Sequence, residues 1–143
     1  MASIQVPSIL ITDDDTALRD TIRDMLEPCG YRLTLAGSGE EALEIVERQD
    51  IHLLLLDMHM PRLTGLETAH RVHRLKIELP WILMSARVDD DLLQQAQQAE
   101  AFTVLRKPVN RAMITHNVEL ALRDRYDWSP GGGYRLDTGR ARG

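Results

Sequence analysis

The sequence predicts an α/β protein built on a five-stranded, doubly wound parallel sheet. Short apolar runs alternate with segments of helical periodicity, the pattern of successive βαβ units. Four of the runs end in reactive polar residues: Asp13-Asp14-Asp15, Asp57, Ser85 and Lys107-Pro108. The run 51–56 is almost continuously apolar, as a central strand covered on both faces should be.

The elements follow in order. Strand one spans about 8–13 and helix one about 16–28, with Leu18, Ile22, Met25 and Leu26 on one stripe. Pro28-Cys29-Gly30 ends that helix, because proline and glycine both oppose it. Strand two covers about 31–36. Helix two starts at Ser38, with Glu41 three residues on as a capping box and Ala42, Leu43 and Val46 turned inward. Strand three is about 51–56, and Pro61 and Gly65 punctuate the loop after it. Helix three is about 65–75, with Leu66, Ala69 and Val72 buried, and strand four about 80–84. Helix four, about 90–98, is rich in glutamine and weakly amphipathic, so it is the least firmly docked helix. Strand five is about 102–106. Helix five begins after Asn110, a good N-cap, and carries Ile114, Val118, Ala121 and Leu122 inward. Residues 1–126 thus form one domain. Residues 127–143, rich in Gly and Arg, read as a flexible tail or the start of a linker.

Parallel strands require right-handed crossovers. The common order for five such strands is 2-1-3-4-5, with a switch point between strands one and three. That order is adopted from the class and is not dictated by the pattern. It brings Asp13 and Asp14 beside Asp57 at the carboxyl edge of the sheet, where ligands of open α/β sheets bind.

Bulk properties exclude several classes. A chain of 143 residues holds one ordinary domain. A net charge of −5 disfavours nucleic-acid binding through a basic surface. The lone cysteine, Cys29, rules out an intramolecular disulfide framework and fits a reducing cytosol; it reads as a small packing residue. The opening residues have no basic stretch ahead of a long apolar run, so no signal peptide is expected, and no apolar run approaches the roughly 20 residues of a membrane helix. The expectation is a cytoplasmic protein with no membrane and no direct nucleic-acid partner.

The chemistry lies in the strand ends. One aspartate before helix one is an ordinary N-cap, and Asp15 suits that role. Three in succession repel one another, and capping does not need three. Asp13 and Asp14 facing Asp57 make a set of hard oxygen ligands suited to Mg²⁺. A carboxylate beside two others has a raised pKa unless a cation neutralises the group. With Mg²⁺ bound, Asp57 is an ionised, positioned nucleophile able to attack phosphorus and form an acyl phosphate. Lys107 offers compact positive charge to a phosphoryl oxygen or to Asp57. It is one of two lysines beside fifteen arginines, so the choice of lysine is specific. The Ser85 hydroxyl can donate to a phosphoryl oxygen. By contrast, His70, Arg71, His73 and Arg74 read as a solvated helix face, and Asp89-Asp90-Asp91 suits the dipole at the start of helix four.

Taken together, Ile9-Leu10-Ile11-Thr12-Asp13-Asp14-Asp15, Asp57-Met58-His59-Met60-Pro61 with Gly65, Met84-Ser85-Ala86 and Leu105-Arg106-Lys107-Pro108 resemble the receiver domain of two-component response regulators, the CheY-like, flavodoxin-like fold. The resemblance covers residues 8 to about 125. It implies a phosphorylation-activated signalling switch in which Asp57 accepts a phosphoryl group from a sensor histidine kinase or a histidine phosphotransfer protein. It implies that Asp14, Asp57 and the backbone carbonyl of His59 bind Mg²⁺, with Asp13 assisting through water. It further implies that Ser85 and Lys107 contact the phosphoryl oxygens and that the Lys107-Pro108 bond is cis. The protein would then be no enzyme, assisting only its own phosphorylation and dephosphorylation. Members usually carry Tyr or Phe three residues before the lysine; here Val104 stands there, and Phe102 lies to the other side of the strand. His59 and Arg87, two residues past Asp57 and Ser85, are suited to tuning the phosphoryl lifetime. With Val104 unable to swing as an aromatic does, the response is expected through the loop after Ser85 and helix four. The face of helix four, strand five and helix five would receive a downstream protein or, in a phosphorylation-dependent homodimer, a second copy.

The alternative from another class is a Mg²⁺-dependent aspartate-nucleophile phosphatase of the haloacid-dehalogenase type. Asp13 and Asp15 fit its first motif, Ala17 does not, and Asp57 has no role in it. A third reading is a docking module that is never phosphorylated; the complete acidic and lysine set counts against it. No output domain is expected within these residues, so the chain is either a stand-alone receiver or the front of a longer regulator.

Overall fold

The computed structural model describes residues 4–131. The expected tail beyond 131 lies outside the described residues. Five strands alternate with five α-helices: β1 (Ser8–Thr12), α1 (Thr16–Leu26), β2 (Arg32–Ala36), α2 (Gly39–Arg48), β3 (Leu53–Asp57), α3 (Gly65–Leu75), β4 (Trp81–Ser85), α4 (Asp90–Gln98), β5 (Thr103–Arg106) and α5 (Arg111–Tyr126). The sheet order is β2-β1-β3-β4-β5, all parallel. β1, β3 and β4 are buried along their whole length, whereas β2 and β5 are partly exposed edges. The near-continuous apolar runs are therefore the interior strands.

Alternation along each strand sends side chains to two cores. Leu10, Leu54, Leu56 and Leu83 face Ala42 and Val46 of α2, Leu66, Ala69 and Val72 of α3, and Leu92 and Ala96 of α4. Ile9, Ile11, Leu53, Leu55, Ile82 and Met84 face Ile22 and Leu26 of α1 and Ile114, Val118, Ala121 and Leu122 of α5. Phe102 joins this second core while Val104 packs on the first. Period-two alternation alone would put both on one face, but Phe102 precedes β5 and escapes it.

Several local expectations are corrected. Helix one ends at Leu26, and a 3₁₀ turn over Glu27–Cys29 follows, closed by Gly30 at φ 85°. Leu18 is 41% exposed rather than buried. Cys29 is exposed rather than a core packing residue. At α2, Ser38 accepts the Glu41 amide, but the Glu41 carboxylate takes the Gly37 amide instead of the cap's own. The reciprocal capping box belongs to Thr64 and Glu67 at α3, a Thr-x-x-Glu spacing visible in the sequence. α4 buries Leu92 and Ala96 alone, but α1 also fully buries only two residues, so burial does not single out α4. After α5, Trp128 packs on Tyr31 with ring centroids 5.6 Å apart, and Ser129 is buried.

The amino edge of the sheet carries a pH-sensitive tie. His52 Nδ1 accepts the Ser8 amide at 2.9 Å, and the Tyr126 hydroxyl donates to the His52 carbonyl at 2.7 Å. Burial pushes the imidazole pKa down, with the Asp50 charge opposing and Arg32 reinforcing. The neutral ring is therefore the folded form. Its stabilisation is complete above the ordinary value of 6.5 and is lost as pH falls through the lowered folded value. The thermal midpoint should drop between about pH 7 and pH 5, and more shallowly in His52→Asn, whose amide oxygen can still accept the Ser8 amide. Superimposable pH profiles would assign the acid loss elsewhere.

Candidate functional site

The carboxyl ends of β1, β3, β4 and β5 deliver Asp13 and Asp14, Asp57, Ser85 and Lys107 to one edge of the sheet. Oxygens of Asp13, Asp14 and Asp57 all lie within 4.8 Å of one another, the single grouping of this kind among the described residues. His70 and His73 form no such group. Asp13 and Asp57 are buried, and Asp14 is exposed.

Each carboxylate has a different set of partners. Asp13 Oδ1 accepts the Asp15 amide at 2.9 Å, and its Oδ2 accepts Lys107 Nζ at 2.9 Å. Asp57 Oδ1 receives the same ammonium at 2.7 Å. No hydrogen bond engages the Asp14 carboxylate among the described residues. Asp15 points away from the group: its Oδ1 accepts the Ala17 and Leu18 amides as the N-cap of α1. That removes one of the two aspartates a haloacid-dehalogenase-type site would need.

The electrostatics follow from burial. Asp57 has a pKa above its ordinary value, chiefly because it is removed from water. The Lys107 hydrogen bond pulls it down, and the charges of Asp13 and Asp14 push it up. Burial lowers the Lys107 pKa, but its hydrogen bonds to Asp57 and Asp13 outweigh this and leave it raised. One ammonium against three carboxylates leaves a formal excess of two negative charges. Hard oxygen donors at this spacing, with that charge, fit a small divalent cation such as Mg²⁺.

The backbone fixes these positions. The Met58 amide donates to the Met84 carbonyl and the Lys107 amide to the Ser85 carbonyl, both at 2.8 Å, so the ladders run on to the site. The Lys107-Pro108 bond is cis. Ser85 is fully buried, but its Oγ donates to the Arg87 carbonyl at 2.8 Å and accepts the Arg87 amide at 3.2 Å. His59 and Arg87 are exposed. Val104 is half-buried and lies opposite Leu83 in the sheet.

Two contacts at the site were not legible in the sequence, although both residues stand in the receiver-like motifs. Gly65 reads there as loop punctuation, yet a Cβ would lie 2.5 Å from the Asp57 carbonyl oxygen and 2.9 Å from Leu83 Cδ1. The first turn of α3 thus presses directly on the backbone of Asp57. Gly65→Ala should cost about 1–3 kcal/mol through overpacking, read as a lower denaturant midpoint at unchanged slope; an unchanged midpoint would show that the loop yields freely. Arg106 carries no sequence signal, since an exposed strand-end arginine is ordinary; its Nη2 donates to the Val88 carbonyl at 3.1 Å.

Comparison with known proteins agrees with this geometry. Residues 9–119 match the response regulator receiver domain. Response regulator MprA of Mycobacterium leprae is 43% identical over 115 residues, 80% of this chain and 50% of that protein. Transcriptional regulatory protein AfsQ1 of Streptomyces coelicolor is 32% identical over 118 residues, 82% of this chain and 52% of that protein. The crystal structure of a CheY-like receiver domain protein from Methanospirillum hungatei superimposes with a TM-score of 0.82 at 27% identity, covering 86% of this chain and 98% of that one. The chain belongs to the response regulator receiver domain family. It spans about half the length of the curated relatives it matches. The match and the spent Asp15 give the phosphatase alternative no support. No helix among the described residues is long and apolar enough to cross a membrane.

Proposed function

We propose that the chain is a switch that takes a phosphoryl group onto Asp57 from the phosphohistidine of a sensor histidine kinase or a histidine phosphotransfer protein. The observation that carries this reading is the Lys107 ammonium bridging two buried carboxylates, Asp57 at 2.7 Å and Asp13 at 2.9 Å, beside the exposed Asp14. An Asp57 carboxylate oxygen attacks phosphorus and forms the acyl phosphate. The phosphorus–nitrogen bond breaks, and its electron pair leaves with the donor imidazole. Lys107 holds Asp57 oriented and ionised before the attack and offers its ammonium to the phosphoryl oxygens after it. Ser85, freed from Arg87, donates a hydrogen bond to a second phosphoryl oxygen. Asp13, Asp14, Asp57 and the His59 carbonyl are the groups that would hold Mg²⁺. When bound, the ion supplies positive charge to the carboxylates and to the entering phosphoryl group. His59 and Arg87, exposed beside the site, set how freely water reaches the acyl phosphate.

The output runs through the segment from Ser85 to α5. Recruiting Ser85 pulls on the loop ahead of α4, and Val104 is too small and stiff at χ1 to replace that motion by a ring swing. Leu93 on α4 is 44% exposed and offers an apolar contact for a downstream protein or a second copy. Hydrogen exchange with beryllofluoride and Mg²⁺, which together mimic the phosphorylated site, tests the reading. Protection should change over the β4–α4 loop, α4 and β5. Changes confined to α1 and α2, or none beyond the Asp57 loop, would refute this output.

A further inference from the structure

The segment between Ser85 and α4 is tied down at two places. Near its start, Ser85 Oγ exchanges hydrogen bonds with the backbone of Arg87 at 2.8 and 3.2 Å. At its end, Arg106 Nη2 donates to the Val88 carbonyl at 3.1 Å. Ser85 and Arg106 are register partners at the ends of β4 and β5. Val88 directly precedes Asp89, which accepts the Leu92 amide as the N-cap of α4, and it packs against the core beneath that helix. The guanidinium therefore closes a ring from β4 through the loop and back to β5, just ahead of α4.

A hydroxyl has one proton to give. In this structure Ser85 gives it to Arg87, so it must break that pair before it can donate to a phosphoryl oxygen. Once it does, the Arg106 bond is the remaining polar tie on residues 86–88 among the described residues. We propose that Arg106 is a positioning residue that latches the β4–α4 loop in its unphosphorylated arrangement and so sets how readily Ser85 is released to the site. The latch's role rests on the reading of Asp57 as phosphoacceptor. It also gives β5 a means of coupling to the loop that needs no aromatic at Val104: a hydrogen bond in place of a ring. A ligand shifts such an equilibrium only by its preference for one arrangement. A bond made only in the resting arrangement therefore raises the phosphodonor or beryllofluoride concentration needed.

Two measurements test this on the full chain. Hydrogen exchange of the unphosphorylated protein does not depend on what Asp57 does. In Arg106→Ala the amides of residues 86–89 should exchange about 2- to 10-fold faster, the range one net hydrogen bond can supply, with the thermal midpoint lowered by no more than a few degrees. Arg106→Lys, which keeps a donor but loses the planar fork, should fall between the two. In the second measurement, beryllofluoride is titrated in the presence of Mg²⁺. Half-saturation should come at an about 2- to 10-fold lower concentration in Arg106→Ala. Unchanged exchange at 86–89 would overturn the latch. So would weaker beryllofluoride binding, because the bond would then belong to the activated arrangement. If the parent chain binds no beryllofluoride, the phosphoacceptor reading falls, and the exchange result alone decides the latch.

Discussion

Asp57→Asn should take up no phosphoryl group from acetyl phosphate and Mg²⁺, while the parent chain gains one that is stable to acid and labile to base. Asparagine keeps the shape of the side chain and an oxygen for Lys107, but its amide is no nucleophile. The loss should therefore be complete while the fold stays intact. Intact-mass measurement before and after mild base reads it directly. Undiminished labelling of the variant, mapped to Asp13 or Asp15, would refute the assignment. The same variant tests the electrostatics. Asp57 has a raised folded pKa, so the folded chain holds this proton to higher pH than the unfolded one. Stability then falls as pH rises from the ordinary value of 3.8 through the raised folded value. Neutralising the side chain removes that cost, and the variant's thermal midpoint at neutral pH without Mg²⁺ should exceed the parent's. A lower midpoint would mean that the Lys107 pair outweighs burial.

Much of this was legible in the sequence because parallel sheets write themselves plainly. Continuous burial of β1, β3 and β4 forces continuous apolar runs, and each run ends where the crevice begins. Position at the strand ends therefore singles out the three aspartates, Ser85 and Lys107, and the structure brings them to one edge of the sheet. What escaped depends on contacts that no period encodes. Gly65 and the Asp57 carbonyl, eight residues apart in number, meet only because α3 starts against the end of β3. Leu18 fits an apolar stripe, but α1 is rotated so that Ile22 and Leu26 face the core. His52 and Arg106 act through backbone carbonyls and amides, which every residue has and which leave no trace in composition.

Asp14→Ala should weaken Mg²⁺ binding by at least about tenfold, the scale on which even groups behind the ligands act. The reason is how the three carboxylates are already occupied. Both Asp13 oxygens have partners, one the Asp15 amide and the other Lys107. Asp57 shares that same ammonium. Asp14 is exposed, within 4.8 Å of both, and unengaged. It is thus the carboxylate that can turn wholly to a cation without giving up a bond. Asp13, held on both sides, is better placed to act through a bound water. Asp13→Asn, which keeps the Asp15 amide's acceptor, should accordingly lose less Mg²⁺ affinity than Asp14→Ala. Calorimetric titration suits the measurement, since Trp81 lies at the far end of β4 and Trp128 packs beside Tyr31, both away from the acidic edge. Equal affinities in Asp14→Ala and the parent would remove Asp14 from the ligand set. A larger loss in Asp13→Asn would reverse the two roles and make Lys107 a competitor that the ion must displace.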